Sequence, residues 1–355
     1  MNKTHLLKVL TEIRKFKAQT GIEIVDTHIH PYDVMGVVHY SDISGNKTHK
    51  DYLEPNLLEY FGYGQTAIVG TKAYCKFLPG NVEKMIYESY ENVPPKEIEN
   101  AMSESLVDKG VLLSLDPWAP SDIVGGAFTN NDKFYILASV DIHQEKKDAI
   151  EKKLTEYIKN YGIKGLKLHP NLQGFKPQPK DNPPEIGEKL KIIYRVASEK
   201  GLYILFHGGL SDFTEKVNGK YESSYPRSRQ NGALENFCDE NGRSELFENY
   251  TMPIVIAHMG HYGKIFHNYE LLKLLVNRYN NIHFDTAGVS PYFMTKAFSF
   301  IPSTRIVFGS DAMYNKMAYD LAFLYESVLK ASNGEKKTDM LINVLHNNFH
   351  SKLIK

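Results

Sequence analysis

Asp26-Thr27-His28-Ile29-His30 decides how this chain is read. These residues follow the apolar positions Ile22, Ile24 and Val25, which places them at the C-terminal end of an expected β-strand. Successive side chains on a strand point to opposite faces, so His28 and His30 aim to one side and Ile29 to the other. Two imidazoles at i and i+2 on one face can share a metal ion. Four further segments repeat the theme, each an apolar, β-branched or aromatic run closed by a titratable residue. They are His169 after Gly165-Leu166-Lys167-Leu168, His207 after Leu202-Tyr203-Ile204-Leu205-Phe206, His258 after Ile254-Val255-Ile256-Ala257, and Asp311 after Arg305-Ile306-Val307-Phe308-Gly309-Ser310. A single His at a strand end is more often a hydrogen-bonded structural residue than a ligand. Five strands in order, each ending in a ligand or proton carrier, point instead to one shared site.

The strands alternate with helices. Expected strands are Glu23 to Asp26, Val111 to Asp116, Tyr135 to Asp141, Ile163 to His169, Tyr203 to His207, Pro253 to His258, Ile282 to Asp285 and Arg305 to Gly309. Helical patterns lie at Lys146 to Tyr161, Glu185 to Lys200, Tyr269 to Tyr279 and Met317 to Ser332. Asp116 to Asp141 spans 25 residues, Asp141 to His169 28, His258 to Asp285 27 and Asp285 to Gly309 24, each the size of one βα unit. The expected fold is therefore an α/β (β/α)8 TIM barrel, one domain over residues 1–355. Two intervals are longer, 90 residues from Asp26 to Asp116 and 51 from His207 to His258. They predict insertions after strands 1 and 5: a helical lid over about 31–106, rich in aromatics such as Tyr74 and Phe77, and a second insertion over about 208–252. Both leave from the strand ends that carry the active site in this fold, where lids and substrate walls belong.

Composition narrows the function classes. Forty-two basic and 42 acidic residues cancel, which leaves no electrostatic footprint for nucleic acid or an anionic membrane. Cys75 and Cys238 are too few for a disulfide framework and lack zinc-thiolate spacing, so a reducing, cytoplasmic compartment is expected. Lys3, Lys8, Arg14, Lys15 and Lys17 interleave with Leu6, Leu7, Val9, Leu10, Ile13 and Phe16, the pattern of an amphipathic helix and not of a signal peptide. No apolar run is long enough to span a membrane. The partner left is a small-molecule substrate, with a homodimer as the ordinary assembly for such an enzyme.

A catalytic zinc site needs about three protein ligands and one open position. His28, His30, His207, His258 and Asp311 supply that set with groups to spare. Asp311 combines two roles, ligand and acceptor of a proton from water; the competing reading makes it the N-cap of a helix starting near Asn315. Zinc is the expected ion, one or two per chain, with manganese or iron as second choices. Lys167 shares an inward face with His169 by parity. It is read as a carbamylated bridge between two metals, a partner for a substrate carboxylate, or a buried structural cation. His169 is read as substrate-facing, and Trp118, in Asp116-Pro117-Trp118-Ala119-Pro120, as an apolar substrate wall or a loop anchor. Arg227 and Arg229 offer guanidinium forks to an anionic group or belong to a solvated loop.

Asp26-Thr27-His28-Ile29-His30-Pro31 resembles the D-x-H-x-H opening of the amidohydrolase superfamily. Gly165-Leu166-Lys167-Leu168-His169-Pro170 is similar to the G-x-K-x-H-P segment of its amidohydrolase 2 branch. Phe206-His207-Gly208-Gly209, Ala257-His258-Met259-Gly260, Phe308-Gly309-Ser310-Asp311 and the closing Asn347-Asn348-Phe349 resemble further segments of that branch. The resemblance implies that His28, His30, His207 and Asp311 are metal ligands, and that His258 binds a second metal or acts as catalytic acid/base. It further implies a metal-dependent hydrolase of amides, esters or lactones, or alternatively a non-oxidative decarboxylase of an unsaturated or aromatic carboxylate. His261 stands where many relatives have glycine, and Ala312 where a proline is common, which alters the substrate loops more than the metal ligands.

Overall fold

The computed structural model describes residues 1–43, 51–64, 69, 73, 79–90, 95–211, 228–264 and 266–354. Eight parallel strands run in sequence order: β1 (Val25–Ile29), β2 (Lys109–Leu113), β3 (Phe134–Ala138), β4 (Gly165–Leu168), β5 (Tyr203–Phe206), β6 (Ile254–Ile256), β7 (Ile282–Asp285) and β8 (Ile306–Val307). The Thr27 N–H donates to the Phe308 carbonyl at 2.9 Å and Ile29 bridges to Ala312, bringing β1 against the end of β8. The chain is thus a (β/α)8 TIM barrel. All eight expected strands exist, shifted by a few residues, because each has an apolar core flanked by turn formers.

Alternation along the strands builds two cores. Val25, Val111, Leu113, Leu137, Tyr203, Leu205, Val255, Ala257 and Val307 form the barrel interior, and Phe349 and Leu353 from the last helical turns join them. Phe349 lies against Tyr135, with ring centroids 4.9 Å apart, so these last turns floor the barrel at the N-terminal strand ends. The opposite strand faces pack on helices in the larger core, with Ile29, Leu112, Ile136, Leu166, Ile204, Ile254 and Phe284 among its members. Helix Lys3–Thr20 buries Leu6, Val9, Leu10, Ile13 and Phe16, the stripe expected from its sequence. Helices Ile150–Tyr161 and Pro184–Lys200 each stop at a left-handed glycine, Gly162 and Gly201, whose missing Cβ lets the chain turn into the next strand.

β1 departs from simple alternation. Asp26 pairs with Gly110 and Ile29 with Leu112, so three steps on β1 match two on β2. This irregularity has the character of a β-bulge, one extra residue that re-aims the side chains beyond it. Val25 and His28, three apart, consequently both face the barrel interior, and Thr27 to Ile29 extend the strand beyond its expected end at Asp26.

The described parts of the first insertion combine irregular backbone with the helices Leu57–Tyr60, Pro79–Tyr90 and Pro95–Glu104. They pack against the segment after β8. Tyr314 donates its hydroxyl to Asp33 at 2.6 Å and accepts from the Val34 N–H at 2.8 Å, Glu59 accepts from the Lys316 N–H at 3.0 Å, and Tyr63 donates to Asp320 at 3.0 Å. The second insertion is stapled at its base by Asn171, whose amide donates to the carbonyls of Gly209 and Arg229. Tyr74, Phe77 and Arg227 lie outside the described residues. Among the described residues no helix is long and apolar enough to cross a membrane.

Candidate metal centre

His28, His30 and Asp311 meet at the C-terminal mouth of the barrel. Each offers one donor atom, and these atoms lie within 4.8 Å of one another, all three residues being buried. The two Nε2 atoms are 3.3 Å apart, and Asp311 Oδ1 stands 3.3 Å from that of His28 and 3.5 Å from that of His30. The β1 bulge aims His28 inward, and His30 is fixed by its N–H, which donates to the Ala312 carbonyl directly after Asp311. Asp311 is not the cap of the following helix. That helix, Met317–Lys330, begins after Lys316, and the Asp311 side chain turns instead toward the two imidazoles.

Asp285, at the end of β7, sets the tautomer of His28. Its Oδ2 lies 2.7 Å from His28 Nδ1. Burial holds the imidazole pKa well below its ordinary value, so His28 is neutral. The contact is therefore an Nδ1–H donating to a carboxylate, and the Nε2 lone pair faces His30 and Asp311. The other oxygen of Asp285 accepts from the His258 N–H at 2.6 Å. Asp285 was legible only as a strand end that fixed spacing, although its inward parity was a signal for a site residue. Asp285→Asn is expected to weaken divalent-ion binding tenfold to a hundredfold, about the usual cost of losing such a partner. Competition with a chelating dye measures this, and unchanged affinity would confine Asp285 to supporting the His258 turn.

His258 faces the same mouth. Its ring centroid is 5.2 Å from that of His28, 4.9 Å from that of His207 and 4.6 Å from that of Tyr262. Nδ1 lies 2.8 Å from the Ala287 carbonyl, which places the ring proton there and presents Nε2 as an acceptor. Burial pulls its pKa down to about 4. His258, Met259 and Asp311 have φ values of 55°, 49° and 61°, left-handed positions that non-glycine residues occupy at a cost.

His207 lies beside the three-residue group without belonging to it. Its ring stacks on His169 at 4.1 Å and 6°. Its Nε2 is buried with no hydrogen-bond partner. His169 Nδ1 accepts from the Leu172 N–H at 3.3 Å, so its remaining ring proton sits on Nε2, a donor and not a lone pair. Gln173, unnoticed in the sequence, holds this segment in place by accepting from the His169 N–H at 2.9 Å and donating to the Val140 carbonyl at 3.0 Å. Trp118 is 5% exposed and packs in the larger core.

Lys167 is wholly buried beneath the mouth, its Nζ 3.4 Å from His28 Nε2. Burial lowers its pKa, opposed by the charges of Asp285 and Asp311. Burial conversely raises Asp311, with Lys167 opposing. Asp26 is pushed up to about 7 by burial, although the Ser310 hydroxyl and the backbone N–H groups of His28 and Ser310 donate to it. The donor set suits a divalent ion. Two imidazole nitrogens and a carboxylate oxygen within 4.8 Å of one another are donors of the kind a divalent ion takes, and His207 Nε2 is a further buried nitrogen without a hydrogen-bond partner.

The sequence pattern of the Amidohydrolase family matches residues 25–348, and the chain belongs to that family of metal-dependent enzymes. No curated protein matches the chain. Among solved structures it is similar to 5-carboxyvanillate decarboxylase from Novosphingobium aromaticivorans, complexed with manganese and 4-hydroxy-3-methoxy-5-nitrobenzoic acid. That likeness has a TM-score of 0.59 and 14% identity over 94% of this chain and 96% of the other. A probable 2-pyrone-4,6-dicarboxylic acid hydrolase from Acinetobacter baumannii, with citric acid bound, gives 0.52 and 13% over 94% and 99%. The 2,6-dihydroxybenzoate decarboxylase from Rhizobium gives 0.52 and 11% over 92% and 97%. At these identities the likeness is one of fold.

Proposed function

We propose that the chain is a metal-dependent hydrolase of a small molecule, acting at an amide, ester or lactone carbonyl, with zinc preferred over manganese or iron. The convergence of His28 Nε2, His30 Nε2 and Asp311 Oδ1 carries this reading. When bound, the ion supplies Lewis acidity toward a carbonyl and toward water. The remaining work belongs to the chain. Asp311 takes the proton of the attacking water, a role that its closeness to both imidazoles and its burial support. Asp311 then returns that proton to the leaving group as its bond breaks, directly or by way of His258 Nε2, which faces the mouth as an acceptor. His169 offers its Nε2–H to a substrate oxygen, and Trp118 stiffens the rim of the pocket. Asp285 keeps His28 in the tautomer that serves as a ligand.

His258 also favours a second reading, non-oxidative decarboxylation of an unsaturated carboxylate. Its ring stands at the mouth beside His28 and His207, where Nε2 can pass a solvent proton to carbon as carbon dioxide leaves. Two of the fold relatives are decarboxylases and one a probable hydrolase. One experiment separates the readings. Lactones, amides and unsaturated carboxylates are screened, and the first substrate found is turned over in heavy-oxygen water. Hydrolysis puts solvent oxygen into the product acid. Release of carbon dioxide with no solvent oxygen in the product would establish the lyase.

A further inference from the structure

Lys167 is a cation with no assigned task. Its Nζ addresses the Nε2 lone pair of His28, the same lone pair that the metal reading gives to the ion. The charges of two buried carboxylates, Asp285 and Asp311, bear on it. One ammonium and one divalent ion already offset that pair in full. A second divalent ion would leave uncompensated positive charge in a buried site, which is strongly unfavourable.

We propose that Lys167 is a resident surrogate cation: in the metal-free site its ammonium occupies the His28 lone pair and the field of Asp285 and Asp311, and it yields both when a divalent ion enters. The inference rests on the metal-centre reading of His28, His30 and Asp311. Two positive charges competing for one set of donors a few ångströms apart repel each other. Lys167 therefore stabilises the empty site, weakens metal binding and takes the place that a second ion would need. The carbamylated form would do the opposite, because a carbamate is an anion that bridges two ions.

The test uses the full chain, stripped of metal and titrated with zinc or manganese against a competing chelator, for wild type and Lys167→Met. The variant is expected to bind the ion at least about tenfold more tightly, since removing a nearby like charge lowers the cost of entry. Its metal-free form is expected to melt below wild type, and added metal to raise its melting temperature by more. Wild type is expected to hold one ion per chain by elemental analysis, with or without bicarbonate. Equal or weaker binding by a folded Lys167→Met overturns the proposal, as does bicarbonate-dependent uptake of a second ion by wild type. Should Lys167→Met fail to fold, Lys167→Gln and the wild-type stoichiometry decide on the same criteria. Wild type that binds neither metal would remove the metal centre itself, and the inference with it.

Discussion

Asp311→Asn is expected to lose about a hundredfold or more in kcat/KM while keeping its fold, a loss of roughly 2.7 kcal/mol in transition-state stabilisation. The amide keeps the size of the carboxylate and an oxygen to face the imidazoles. It cannot take a proton. Asp311 Oδ1 stands 3.3 Å and 3.5 Å from the two imidazole nitrogens, so the substitution strikes both the metal and the proton acceptor. Metal content is therefore measured beside the rate. A variant that keeps its ion and loses its rate isolates the proton-accepting role. Activity within about tenfold of wild type, or about 1.4 kcal/mol, would take that role away from Asp311.

The second large effect is on the ion. The His28→Ala, His30→Ala double variant is expected to lose most of its bound divalent ion and with it all measurable turnover. Two of the three converging donors vanish, and Asp311 alone on a β8 loop offers a divalent cation too little. The single variants should lie between, with His28→Ala the worse, because it also strips one buried oxygen of Asp285 of its ring partner. Elemental analysis reads the outcome. Full metal content in the double variant would place the ion elsewhere.

How much of this was legible depended on the range of the signal. Strand existence and order are local, written in the apolar runs before His169, His207, His258 and Asp311, and these stand where the runs said they would. Parity aimed His28 and His30 to one side, and the position of Asp311 after the last strand put it at the same mouth. The range Glu23 to Asp26 stopped short of β1's end at Ile29, and a period of two has no means of announcing the extra residue between Asp26 and Ile29. Asp285 and Gln173 stayed hidden for another reason. Their roles are hydrogen bonds across long stretches of chain, to His28 and His258 in one case and to Val140 and His169 in the other. Such contacts exist only after the barrel closes.

The left-handed backbone at His258 and Asp311 has a consequence for how variation at this site is interpreted. Glycine adopts that conformation without steric penalty, so at both positions the residue that relaxes the main chain is the one that erases the chemistry. Selection for folding and selection for turnover pull apart there. A library sorted for heat resistance or expression would therefore enrich glycine at 258 and 311, whereas one sorted for product would hold histidine and aspartate. The pair thus serves as a built-in gauge, telling a lineage still under pressure to catalyse from one that keeps the barrel only as a scaffold.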